Sequence, residues 1–212
     1  MRLINYFKSF SVYLLALFLF CFSNIGCNAQ KQFGGDYLTL QKTIPLPGVK
    51  GRIDHLSVDK EHNRLYIAAL GNNSIEVIDL TSGEDIHSIK GFDEPQGVLY
   101  IPDDNSIFMT NGGDGLCRVF NADTYQSLAE INLSDDADNA RYYAEEQTIY
   151  AGYGNGGIAV IDAKSHKQTG MINLDGHPES FQIDSHSKKM WINIPGKKSD
   201  RSSRRKNLKC YR

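Results

Sequence analysis

Short runs of five or six β-branched and aromatic residues recur along the chain, separated by clusters of Gly, Asn, Asp and Ser. Runs of this length and composition, bounded by turn residues, read as β-strands. The first set predicts strands over residues 53–58, 64–69, 74–79 and 85–90. The breaks between them carry turn chemistry: Glu61-His62-Asn63, Gly71-Asn72-Asn73 and Ser82-Gly83. Asp103-Asp104-Asn105, Gly112-Gly113-Asp114-Gly115 and Gly154-Asn155-Gly156-Gly157 take the same places further along. Gly and Asn supply the positive φ that tight hairpins need. Beyond the first 30 residues no segment sustains a 3.6-residue apolar period, so few helices are expected.

The pattern repeats. Leu65-Tyr66-Ile67 recurs as Ile107-Phe108-Met109, Ile149-Tyr150-Ala151 and Met190-Trp191-Ile192, with the central residues 42, 42 and 41 positions apart. Val77-Ile78-Asp79 recurs on the same beat as Val119-Phe120-Asn121 and Val160-Ile161-Asp162. Four short strands in about 40 residues form the unit of a β-propeller, whose blades bury their faces only against neighbouring blades. The expected fold is therefore all-β, a propeller of four-stranded blades.

The segment NRLYIAALGNNSIEVIDLTSGEDIHSIKG resembles the YVTN-type β-propeller repeat. GGIAVIDAKSHKQTGMINL repeats it well and DGLCRVFNADTYQSLAEINL more loosely. The resemblance covers roughly residues 37–195 and implies a secreted or cell-surface propeller, often seven-bladed, often without assigned activity. In outline it is similar to the propellers of gluconolactonase-type hydrolases and quinoprotein dehydrogenases. Blade counting leaves the ring incomplete, at about three and a half blades. Three repeats run over 53–174, and 179–194 supply only two strands of a fourth before Pro195-Gly196. Residues 38–46 (LTLQKTIPL) look like a lone outer strand, of the kind that closes a propeller by joining its last blade. The partial propeller is assigned to 37–196 and a basic tail, unstructured or non-native, to 197–212. A truncated or frame-shifted parent, a solvated basic tail and an anion-binding segment are three readings of that end.

The N-terminus reads as an address. Arg2 and Lys8 precede a mostly apolar run over 10–22, the layout of a signal peptide, assigned here to 1–29. The run is short for a membrane span. Cleavage after Ala29 and lipoprotein-type processing at Cys27 are the two alternatives, the second weakened by Asn24 three places before the cysteine. Both place the mature protein outside the cytoplasm: periplasmic, anchored to a membrane through a lipid on Cys27, or secreted. Of the remaining cysteines, Cys117 on a strand is expected to be a small buried hydrophobe.

Charge adds one exclusion. The formal net charge of −2 conceals a tail from 197 to 212 with 8 Lys/Arg and one acid, leaving 15 basic and 24 acidic residues elsewhere. An acidic body repels phosphate and argues against a nucleic-acid partner. The expected partner is a protein or small molecule, and bare blade faces favour self-association.

Aligning the repeats on Tyr66, Phe108, Tyr150 and Trp191 exposes a polar column. Twelve places before each stand Asp54, Gln96, Asp138 and Glu179. His55, Gly97, Asn139 and Ser180 follow them, and Arg52, Glu94, Asp136 and His177 lie two places before. Each column residue opens an innermost strand, so the set should face the mouth of the central channel. Asp54, His55, Gln96, Asp138, Asn139, His177 and Glu179 are the candidate ligand-binding residues. Asp54, Asp138 and Glu179 are a speculative site for a divalent cation. Oxygen donors suit Ca²⁺ or Mg²⁺, and His55 or His177 would admit Zn²⁺ or Mn²⁺. The bland alternative is solvated side chains capping backbone groups in a wet channel. The Gly-rich loops at 111–115 and 153–157 precede no helix, so they read as turns on the same face. Asp135, Asp136 and Asp138 read as an acidic connecting loop. No G-x-S-x-G, H-E-x-x-H or C-x-x-C-H motif occurs. The reading is an extracytoplasmic binding or scaffold module without its own catalysis. The alternatives are a metal-assisted hydrolase of the lactonase type and a fragment with no function of its own.

Overall fold

A computed structural model describes residues 38–195 and the backbone of 207–211. The chain divides into two compact units, Met1–Thr43 and Ile44–Arg212. The proposed signal peptide and Cys27 lie outside the described residues. In the first unit the described residues, 38–43, form no strand, and neither do 44–46 of the second. The outer strand expected over 38–46 is thus corrected. Pro45 and Pro47 remove ladder donors there.

The second unit is a stack of antiparallel sheets, each one sequence repeat. Blade 1 is β1 (Leu56–Asp59), β2 (Arg64–Ala69), β3 (Ser74–Asp79) and β4 (Glu84–Lys90), in the order β1-β2-β3-β4. Blade 2 is β5 (Pro95–Ile101), β6 (Ser106–Asn111), β7 (Leu116–Asn121) and β8 (Ser127–Asn132). Blade 3 is β9 (Ala137–Tyr143), β10 (Thr148–Tyr153), β11 (Gly157–Asp162) and β12 (Lys167–Asn173). Blade 4 is a three-stranded sheet of β13 (Ser180–Asp184), β14 (Lys189–Ile194) and β15 (Asn207–Tyr211). The fold is β-propeller-like and its ring is incomplete. The tail differs from expectation: Asn207–Tyr211 pairs with β14, from Ile194↔Asn207 to Met190↔Tyr211. That ladder is made by backbone groups, so any extended segment without proline satisfies the open edge of β14.

Repeated sequence produces repeated local geometry. The third-to-fourth strand ladder shifts register at Val77/Ile78, Val119/Phe120 and Val160/Ile161, so each copy of the second marker carries the same bulge. The acid or amide closing that marker caps the next turn. Asp79 Oδ1 accepts the Ser82 N–H at 2.7 Å, Asn121 Oδ1 the Thr124 N–H at 2.8 Å and Asp162 Oδ1 the Ser165 N–H at 2.7 Å. These bonds favour the ionised carboxylate, and Asp79 and Asp162 titrate below the ordinary range. Two single-turn 3-10 helices, Leu70–Asn72 and Ala144–Glu146, are the only helical elements among the described residues.

Blades dock through their inner strands, β1 and β2 on β5, β5 and β6 on β9, and β9 on β13. The core is three clusters between successive blades. Tyr66, Val98, Met109 and Phe120 fill the first, Phe108, Ile149, Ala159 and Ile161 the second, and Ile158, Phe181 and Ile192 the third. Burial on both faces explains why Ile107-Phe108-Met109 is continuously apolar rather than alternating. Cys117 is buried and free as expected, and burial pushes its thiol pKa far up, leaving an inert hydrophobe.

Tyr66 carries a defect that blade 2 avoids. Its ring is fully buried and its hydroxyl makes no well-aligned hydrogen bond, with the Arg64 guanidinium beside it, whereas the equivalent residue is Phe108. Tyr66→Phe should raise stability by about 1 kcal/mol, because it removes an unsatisfied polar group. Burial also pushes the Tyr66 pKa from 10.0 to about 12. Stability tied to the neutral phenol is therefore intact below pH 10 and lost as the pH climbs through about 12. The advantage of the phenylalanine variant should widen across that window in urea titrations. A variant no more stable than the parent at either pH would show that the hydroxyl is satisfied.

Candidate functional site

The polar column assembles where the inner strands begin. Asp54, His55, Gln96, Asp138, Asn139 and Glu179 line one cleft of about 510 Å³, together with Arg52, Arg141 and Ser180. His177 does not line it. Its Nδ1 donates to the Gly154 carbonyl at 2.6 Å, and its Nε2 stands 4.0 Å from Asp138 Oδ2.

Much of the column joins one blade to the next. The His55 N–H donates to the Gln96 carbonyl at 3.3 Å. Gln96 Nε2 donates to Asp136 Oδ1 at 3.4 Å, and Asn139 Nδ2 to the Glu179 carbonyl at 2.8 Å. Thr110 joins blades 2 and 3: Oγ1 accepts the Gly97 N–H at 2.8 Å and donates to the Asp138 carbonyl. The two amides therefore act largely as inter-blade stitches. Asp136 of the acidic loop belongs to this network, and Gly112 of the first Gly-rich loop packs against the Gln96 amide.

The charged groups are less fully matched. Arg52 donates to Asp54 Oδ2 at 2.7 Å, while His55 Nδ1 lies 3.1 Å from Asp54 Oδ1 without the alignment of a hydrogen bond. Burial is the main cause that raises the Asp138 pKa; His55 and His177 oppose the shift, and Asp54 and Asp136 add to it. A carboxyl perturbed by desolvation inside a cleft is a recurrent mark of a functional position. Asn139 is 4 % exposed and its Oδ1 has no partner.

Arg141, absent from the sequence-derived set, is the cleft's second cation. Burial lowers its pKa against the pull of Asp138, and its guanidinium lies 5.7 Å from the centre of the Phe181 ring. The one signal for it is the repeat register, since Ser57, Leu99 and Gln182 occupy the equivalent position in the other blades.

The speculative cation site is not preassembled. Among the described residues no group of three His, Cys, Asp or Glu is arranged to hold a metal ion. Asp54 and Glu179 lie just before the inner strands of blades 1 and 4 and Asp138 lies in that of blade 3; Asp54 is turned to Arg52, and Asp138 lies toward His177.

No protein-family model matches the sequence, and no curated protein matches it. Among solved structures the chain is similar to hydrazine synthase from Kuenenia stuttgartiensis, with a TM-score of 0.66 at 18 % identity. The match covers 81 % of this chain and 47 % of that one, so this chain spans about half the length of its structural relative. At that identity the likeness concerns the fold.

Proposed function

We propose that this protein is an extracytoplasmic binding module of the YVTN propeller type, without catalysis of its own, which takes a small polar ligand at the mouth of its channel. The supporting observation is the convergence of Arg141, Asp138, Glu179 and Asn139 on one cleft that also holds the Arg52–Asp54 pair. Groups of both charges beside an unpaired amide oxygen suit a ligand carrying both charges or many hydroxyls. The signal-like run over 10–22 supports the location. The hydrolase alternative gains no geometric support, because its three carboxylates do not meet at one point.

Thermal unfolding in the presence of amino acids, monosaccharides, sugar acids, Ca²⁺ and Mg²⁺ tests the reading. A ligand at about 100 times its Kd stabilises by about 2.7 kcal/mol. That corresponds to a rise of roughly 5–10 °C in Tm for a domain of this size. The rise should vanish in the Asp138→Asn, Arg141→Ala double variant. A rise that survives both substitutions would place the ligand elsewhere, and no rise with any compound would remove the proposed ligand classes.

A further inference from the structure

The two end blades are unequally covered compared with the same positions inside the stack. On the inner strand, Val98, Ala140 and Phe181 face the preceding blade and are 1–2 % exposed. Leu56, at that register in blade 1, is 56 % exposed, and Val58 beside it is 48 % exposed. At the other end Tyr66 and Phe108 face the following blade and are fully buried, Tyr150 is half-buried, and Trp191 is 40 % exposed. Ile67 and Ile78 of blade 1 are buried, so its open part is the inner strand, which is the part that docks at the internal junctions.

These two surfaces are the unfilled halves of one repeated junction. Inside the chain, the aromatic of one blade's second strand meets the inner strand of the next. Tyr66 stacks on Tyr100 with ring centroids 5.9 Å apart. Trp191 and the Leu56–Val58 strand are the same pair without a partner. The polar register agrees. At two internal junctions a column residue faces the residue two places before the next column position: Gln96 bonds Asp136 at 3.4 Å, and Asp138 lies 4.0 Å from His177. At the open ends that rule pairs Glu179 with Arg52, a carboxylate with a guanidinium. Propeller rings hold four to eight blades. A second copy of this four-bladed arc brings the ring to eight, within that range.

We propose that two copies of this chain close head to tail into an eight-bladed ring. Trp191 of each packs on the partner's Leu56 and Val58, and Glu179 pairs with the partner's Arg52. The channel mouth then receives a second, symmetry-related set of column residues, so the cleft described above is half of the assembled opening.

Sedimentation of the purified full chain at micromolar concentration should give twice the monomer mass with no higher species, because a closed ring has no free end. Leu56→Asp and Trp191→Asp should each weaken dimerisation at least about 100-fold, a change of about 2.7 kcal/mol. Both residues are exposed in the single chain, so the circular dichroism of each variant should be unchanged. Mixing the two variants should restore a weaker dimer, since one of its two junctions is wild type on both sides. Arg52→Glu should weaken the dimer, and adding Glu179→Arg should recover it. A monomer, a ladder of larger oligomers, or a dimer indifferent to Trp191→Asp would each overturn the ring. A monomer would mean that further blades of a longer chain, or solvent, cover these faces.

Discussion

Truncating Phe108 to alanine is expected to cost about 3–5 kcal/mol, the range for a buried aromatic in a core that relaxes only partly. Against a total stability of about 5–15 kcal/mol, that is roughly a fifth of the stability or more. The reason is its position. Phe108 is fully buried and packs with Ile149, Ala159 and Ile161 of blade 3, so its loss opens a void between sheets and not within one. Each sheet is held by its own ladders, and the sheets are joined by these apolar contacts, a few inner-strand hydrogen bonds and side-chain links such as Arg64–Asp123 and His166–Asp104. Leu128 on the outer strand of the same blade is 49 % exposed. Leu128→Ala should cost less than about 1 kcal/mol, as surface substitutions do. Urea unfolding of both variants measures the contrast, and equal costs would show that blade-to-blade packing does not hold the protein together.

The second large effect should come from the smallest residue in the column register. Gly97 stands where the other blades carry His55, Asn139 and Ser180. A Cβ at Gly97 would lie 2.5 Å from the Asp138 carbonyl oxygen and 2.6 Å from Thr110 Oγ1. The first is backbone of the next blade and the second is the bridge between the two blades, so neither yields cheaply. Gly97→Ala is expected to destabilise by about 1–3 kcal/mol, the usual cost of overpacking. It should also push the inner strand of blade 3 away from blade 2, carrying Asp138 and Asn139 with it. Any ligand found by thermal shift should then bind Gly97→Ala more weakly than the parent under conditions where both are folded. A variant with parental stability would mean that the two inner strands separate freely, against the packing described.

The architecture was largely readable from the sequence because its determinants are local. Strand propensity, turn residues and a 42-residue beat located three of the four strands of blade 1 to within a residue, and they aligned the blades correctly. The inner strand began later than expected, at Leu56, although Asp54 and His55 still bond Ala68 across the gap. The cleft was readable for a related reason: residues at one register of a repeat must share one end of the stack. Six of the seven candidate ligand residues line it. Four things needed coordinates. Arg141 shares β9 with Asp138, and beyond its odd place in the repeat register only its burial beside that carboxylate marks it. The stitching role of Gln96 and Asn139 depends on partners 40 residues away. Whether Asp54, Asp138 and Glu179 meet depends on side-chain direction and ring radius, which no register of residues encodes. The strand in the basic tail escaped because backbone edges accept partners with little regard to their side chains.

A chain in which each sheet packs chiefly on its predecessor and successor has consequences for how it is made. The pairings within a sheet span one hairpin, and the contacts between sheets span about one repeat, so the loops to be closed stay short for an all-β protein. At about 5–20 residues per second, synthesis delivers one complete 42-residue unit every few seconds. Each emerging sheet finds the face it needs already formed behind it. Assembly of this kind is vectorial, needing no signal from the far end of the polypeptide, and it leaves one growing face bare at every moment until the last partner arrives.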